Sequence, residues 1–429
     1  MCSAAGPPAP VRAAATASPP RYRARNPRAT PLYQLLDAHY ETVKLHWEER
    51  FEPRSGYWRG LTDGAVAKYL DCGIFANGFA RVRCPTCPTE YLVALSCKCR
   101  GLCPSCGAKR ATIFSELLHH RILADVSHAQ WVFSIPKMLR LYFLHHRALL
   151  TDLARCAYDT VREMMAAAVD IPAARPGMVT VIQTVGAALH WHPHIHAIVS
   201  RGVWHDGGEW TPLPYVDPQQ AELLFRHKVL HLLQQRGLLG DERIDLLLSW
   251  RHSGFAVHNH TTVYPQDTEG LHRLACYLLR PPVCLARLHL LADSNEVRYV
   301  PKPGHDRATA AVMDPLEFVA RVITQIPQPR AHLVHYCGAY ANRARAGARH
   351  RPTRDAATAR PRRPAVRKRW AALIHRVYQI DPLTCPRCGA TMRIVSVITA
   401  PHLVRRILDH LAHTAASSRA PPRGDTAAR

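Results

Sequence analysis

The sequence predicts an α+β protein: an antiparallel sheet with flanking helices, preceded by a cysteine-rich module. Three observations carry this. Runs of alternating apolar residues are interspersed with helical stripes, without the regular βα repetition that would signal a parallel sheet. Seven of the 14 cysteines fall between Cys72 and Cys106. The run His192-Pro193-His194-Ile195-His196-Ala197-Ile198-Val199 reads as a buried strand that carries imidazoles on one face.

In chain order, residues 1–30 are rich in Ala, Pro and Arg and lack the apolar core of a signal peptide, so they read as a disordered basic tail. Residues 31–122 form an N-terminal domain. Tyr33, Leu36, Tyr40, Val43 and Trp47 recur at helical spacing, the cysteines follow, and an exit helix runs through Ile113, Leu117, Leu118 and Ile122. Residues 125–340 form a second domain. Its first strand begins at Trp131, a helix spans residues 139–168, and strands follow at 178–185 and 189–200. A helix at 223–235, a strand at 254–263 and a helix at 271–280 come next, the last stopped by Pro281 and Pro282. Asp314 marks a further helix start. Residues 341–369 are too rich in Arg and too poor in large apolar residues to build a core, and read as a basic linker. Residues 370–429 return to helix, with a short strand at 394–398.

The net charge is +24, from 56 Lys and Arg against 32 Asp and Glu, which implies a polyanionic partner and salt-sensitive affinity. No run approaches the roughly 18 apolar residues of a transmembrane helix, so no membrane partner is expected. Cys84-x2-Cys87, fifteen residues, then Cys103-x2-Cys106 has the spacing of a four-thiolate structural zinc site. Disulfides are the weaker alternative without a secretory signal. Cys72, Cys97 and Cys99 surround this site, while Cys385-x2-Cys388 is half a site or a plain turn.

His194 and His196 share one strand face and can grip a divalent ion, leaving positions open for a third ligand and a substrate. Against this stands chance pairing among 27 histidines, but two buried imidazoles without a partner would be costly. On the 271–280 helix, Leu271, Leu274, Ala275 and Leu278 make one stripe, and Arg273, Tyr277 and Arg280 project together from the other side. A phenol between two guanidinium groups suits a phosphodiester.

The motif His192 to Gly202, residues 73–106, Gln183-Thr184-Val185-Gly186, Tyr277 to Pro282, residues 314–329 and Cys385-Pro386-Arg387-Cys388-Gly389 together give the chain its resemblance to rolling-circle transposases of the HUH class, insertion-sequence-91 family. Many members carry two tyrosines four apart. Here the position four after Tyr277 is Pro281, so the chain is similar to the single-tyrosine branch. Tyr336 and Tyr340 have that spacing, but Gly338 between them makes them a decoy.

The resemblance implies an HUH fold with the His pair on a central strand and Tyr277 as nucleophile, assisted by Arg273 and Arg280. It implies Mg or Mn held by His194, His196 and a third ligand. For that ligand Gln183 is the first choice, with His190, His192 and His258 as alternatives. The expected partner is single-stranded DNA at element ends and target, cut and rejoined through a 5′-phosphotyrosine in the bacterial cytoplasm, at the nucleoid. A plasmid replication initiator or relaxase would use the same chemistry. A non-catalytic zinc-containing DNA-binding protein would explain the charge and cysteines alone.

Overall fold

The structure, a computed structural model, describes residues 26–205, 208–213, 215–291, 293–301, 310–346 and 383–417. The basic tail up to residue 25, the Arg-rich run from 347 onward and the helix expected at 370–380 lie outside the described residues.

The first helix, Pro31–Leu45, starts where Thr30 caps it by accepting from the Tyr33 N–H and Pro31 takes the first turn. A helix at Leu61–Leu70 follows, then strands β1 (Phe79–Arg83) and β2 (Glu90–Ala94) and a helix at Pro104–Leu117. Strand β3 (His128–Ser134) leads to helices Arg140–His145 and Leu149–Ala168, then β4 (Arg175–Val185), β5 (Trp191–Trp204) and β6 (Trp210–Pro212). The Pro218–Gln235 helix, β7 (Ala256–Val263) and the Thr268–Leu278 helix come next. After these come β8 (Leu288–Leu291), β9 (Glu296–Tyr299), β10 (Ala311–Met313), the Pro315–Thr324 helix and β11 (Val334–Gly338). Further along the chain lie β12 (Arg393–Ile398) and a helix at Pro401–Ser417.

The main sheet runs β11-β4-β5-β3-β7, with β6 added beside β5, and every pairing is antiparallel. The expected α+β architecture is present, and the His-bearing strand is its centre. Both faces are covered. Phe133, Ile182, Ile195, Ala197 and Val199 pack in one core with Leu153, Ala157, Val161, Phe225 and Val229 of the Leu149–Ala168 and Pro218–Gln235 helices. Val179, Val181 and Ile198 face the other way, onto Phe114, Leu118, Leu274, Ala275 and Leu278. A strand buried on both sides explains why the residues around the His pair read as an almost continuous apolar run.

The single helix expected at 139–168 is two helices, because His146 leaves the helical region. Arg147 explains the break: its guanidinium stacks 4.5 Å from the Trp191 ring and donates to the Thr324 carbonyl at 2.9 Å, which draws the chain aside. The N-terminal helices share a core with the 283–326 region, where Leu32, Leu36 and Val43 meet Val297, Phe318 and Val322. Arg59 fastens the two, donating to the carbonyls of Ile323, Thr324 and Ile326 at the end of the Pro315–Thr324 helix. At the opposite end of the chain, β12 pairs with β1, so the N-terminal sheet reads β12-β1-β2.

Tyr340 is a core residue. It is 3 % exposed and its hydroxyl lies 2.6 Å from His128 Nε2. Burial holds the His128 pKa down at about 4. The unfolded chain takes up a proton near pH 6.5 whereas the folded chain resists it until about pH 4, so stability is fully present above 6.5 and falls as pH drops through that window. This group alone should remove about 2 kcal/mol by pH 5. Urea midpoints at pH 7 and pH 5 measure it, and His128→Gln should flatten the difference.

A tyrosine beside a histidine pair on the central strand

On β5, His194 and His196 are 7 % and 3 % exposed, with Ile195 turned to the opposite core. Across the ladder, Gln183 of β4 stands directly opposite His194, and Val132 of β3 opposite His196. The Nδ1 of His194 lies 2.7 Å from the His192 carbonyl. A carbonyl can only accept, so Nδ1 carries the proton and Nε2 keeps the lone pair a metal needs. Burial pushes the His194 pKa down to about 4, which keeps the ring neutral and ligand-ready across the physiological range.

The Thr268–Leu278 helix lays Leu274, Ala275 and Leu278 on the sheet, as its stripe predicts. It brings the Tyr277 ring 5.3 Å from the His196 ring, nearly perpendicular to it. The Arg280 guanidinium carbon sits 4.5 Å from the centre of the Tyr277 ring. Arg280 lies beyond the last helical residue, so its chain folds back over the phenol rather than following the helix projection. Arg273 does not join them. Its side chain is 68 % exposed and pairs at 3.3 Å with Glu269 one turn earlier.

Gln183 has a second role that spacing did not reveal. Its amide nitrogen donates to the carbonyls of Leu278 at 2.7 Å and Tyr277 at 3.4 Å, satisfying the frayed end of the tyrosine helix. Those bonds leave its carbonyl oxygen, the atom a metal would use. Among the alternatives, the His192 ring lies 4.9 Å from the His194 ring, tilted against it, and its Nε2 is buried without a hydrogen-bond partner among the described residues. His190 stacks on His192 at 6.0 Å. His258 is exposed on β7, two strands from His196. Gln130 of β3, which sequence reasoning missed, places its amide nitrogen 3.5 Å from His196 Nδ1.

The expected quartet of Cys84, Cys87, Cys103 and Cys106 is not brought together. Cys103 and Cys106, at the start of the Pro104–Leu117 helix, join Cys72 and Cys97 instead, with all four sulfurs within 4.8 Å of one another. Sulfur separations of 3.8 Å (Cys72 to Cys103), 3.9 Å (Cys72 to Cys106) and 3.6 Å (Cys97 to Cys106) match a tetrahedron of bonds about 2.3 Å long, so this donor set fits zinc. The β1–β2 hairpin carries Cys84 and Cys87 away from that helix, to Cys385 and Cys388. Cys99 lies outside both groups, its thiol 3.7 Å from the Ala65 carbonyl. Cys72 and Cys97, which sequence placed only around the site, are thus ligand candidates themselves, and no Cys-x2-Cys spacing marks them.

Residues 42–135 match the family described as "Transposase zinc-binding domain", and residues 177–347 the family described as "Putative transposase". Over 378 residues the chain is 26 % identical to the transposase for insertion sequence element IS801 of Pseudomonas savastanoi pv. phaseolicola, covering 83 % of this chain and 88 % of that one. No solved structure matches significantly. The first match holds Cys72 to Cys106 and the second holds Gln183, His194, His196, Tyr277 and Arg280. On this sequence and geometry, the chain belongs to the insertion-sequence-91 family of transposases.

Proposed function

We propose that this transposase cuts and rejoins single-stranded DNA at its element ends through Tyr277. The observation that carries the reading is the Tyr277 ring packed against His196 with Arg280 over it. His194, His196 and the Gln183 carbonyl oxygen would hold Mg or Mn, with His192 the alternative third ligand. Such an ion, when bound, polarises a non-bridging phosphate oxygen and offsets the charge that develops there. Arg280 holds another non-bridging oxygen through its planar fork of donors. The Tyr277 oxygen attacks phosphorus and loses its proton to solvent, the bond to the 3′ oxygen breaks, and that oxygen leaves as a 3′-hydroxyl. The 5′-phosphotyrosine stores the phosphodiester, so a second 3′-hydroxyl can reverse the step and rejoin the strand without ATP. Arg273, out on the surface, serves the DNA backbone rather than the reacting phosphate.

The cysteine module adds DNA contact. Arg83 and Arg393 face each other across β1 and β12, both exposed, and such a like-charge pair is costly unless a polyanion covers it. The workplace we assign is the bacterial cytoplasm, on nucleoid DNA. Among the described residues no helix is long and apolar enough to cross a membrane.

The test is incubation with labelled single strands from both flanks of the gene in Mg or Mn. A denaturation-resistant adduct should form with the parent protein. Tyr277→Phe should abolish it while changing the Kd for the strand less than about threefold, since the lost hydroxyl acts in the reaction and not in binding. Transfer of the adduct to a second strand separates a transposase from a replication initiator that only nicks and closes. Tight binding with no adduct on either strand would leave only the non-catalytic reading.

A further inference from the structure

Cys385 and Cys388 lie outside both family-matched segments, which end at residues 135 and 347. Yet their sulfurs sit 3.6 Å from Cys87 and 3.5 Å from Cys84 respectively. All four sulfurs fall within 4.8 Å of one another, and Cys84 and Cys385 are 2 % and 0 % exposed, in a small core with Val82, Val93 and Met392. The separations are far longer than the roughly 2.05 Å of a disulfide and fit the edge of a tetrahedral thiolate site.

A second, independent observation is the shape of the two turns. The sequences are Cys84-Pro85-Thr86-Cys87 and Cys385-Pro386-Arg387-Cys388. In the first, the Cys84 N–H donates to the Thr89 carbonyl at 2.9 Å; in the second, the Cys385 N–H donates to the Ala390 carbonyl, also at 2.9 Å. Each turn therefore closes on the residue five positions on from its first cysteine. In the first turn the Thr86 N–H also points at the Cys84 sulfur, 3.4 Å away, a contact that stabilises a thiolate. Two like knuckles set face to face, each offering two sulfurs, complete a closed shell with no position left for substrate.

We infer that these four cysteines form a second structural zinc site, assembled from opposite ends of the chain, that clasps residues 383–417 onto the N-terminal sheet. The ion works together with the β1–β12 ladder, in which Phe79 pairs with Ile398 and Arg83 with Arg393. The C-terminal helix, Pro401–Ser417, follows directly and buries its own Val404. The C-terminal knuckle is thus neither half a site nor a plain turn. Its other half lies 304 residues earlier in the chain.

Zinc counted by native mass spectrometry on the full-length protein tests this. The parent should carry two ions per chain. Cys385→Ser with Cys388→Ser should carry one, and Cys84→Ser with Cys87→Ser should lose the same one. In either variant the amides of β1 that bond to β12 should exchange at least tenfold faster. A parent with one ion, or a C-terminal serine variant that keeps two, overturns the inference. If the serine variants unfold and lose both ions, Cys388→His decides, because imidazole can replace a thiolate. With cobalt in place of zinc, a weakened thiolate charge-transfer band supports the site, and a spectrum unchanged from the parent overturns it.

Discussion

Alanine at His194 should reduce adduct formation by at least about 100-fold, since even outer-sphere partners of metal ligands are worth 10–100-fold. His194 meets the three demands made of a ligand. Its Nδ1 proton is committed to the His192 carbonyl, its Nε2 is left free by that bond, and burial keeps it neutral. Its side chain faces the tyrosine helix rather than the packed core behind Ile195, so truncation should leave the fold standing. Gln183→Ala should cost less in metal affinity, yet it also frees the end of the tyrosine helix. The two effects separate in a manganese titration of the adduct rate. The His194 variant should need far more metal and be partly rescued by it, whereas the Gln183 variant should keep a lowered ceiling at saturating metal. An adduct rate and manganese dependence unchanged in His194→Ala would remove the His pair from the mechanism.

Cys103→Ser should be the most destabilising single substitution in the N-terminal region. Cys72, Cys103 and Cys106 are buried in the same core as Val66, Leu102 and Phe318, which joins the first helices to the 283–326 region. Without its ion this core would hold several polarised sulfurs in apolar surroundings, and closed thiolate sites contribute folding free energy outright. A loss of about 4 kcal/mol corresponds to a fall in Tm on the order of 10 °C for a unit of this size. Thermal melts with and without a strong zinc chelator check it. The parent should drop on chelation to about the melting point of the chelated variant, and the variant should respond less.

The sheet and the site were legible for a common reason: their signals are local. In the run from His192 to Val199 alternation is enough to place both imidazoles on one face, and the stripe of Leu271, Leu274, Ala275 and Leu278 is enough to seat the tyrosine helix. Where a neighbour from elsewhere sets the conformation, local pattern was silent. Arg147 breaks its helix because Trp191 and Thr324 are there to receive it. Arg273 shares a helix side with Tyr277 in projection, but Glu269 claims it. Spacing identified the Cys-x2-Cys pairs as knuckles but not which knuckle meets which, because ligand partnership is decided by the fold and not by proximity in sequence. Gln183 was found as a neighbour of the His pair, while its tie to the Leu278 carbonyl needed the helix in place.

The clasped ends also set an order of events during synthesis. Strand β1 leaves the ribosome early, but its partner β12 is made only after the whole central sheet, because Cys388 is translated 304 residues after Cys84. At about 5–20 residues per second that interval is roughly 15–60 s. Throughout it the outer edge of β1 is open and Cys84 and Cys87 lack their partner thiols, the kind of surface on which nascent chains stick to one another. A chain that stops short of residue 385 never closes that edge. Closure of the N-terminal sheet is thereby coupled to translation through β12, and chains terminated before it should be aggregation-prone fragments.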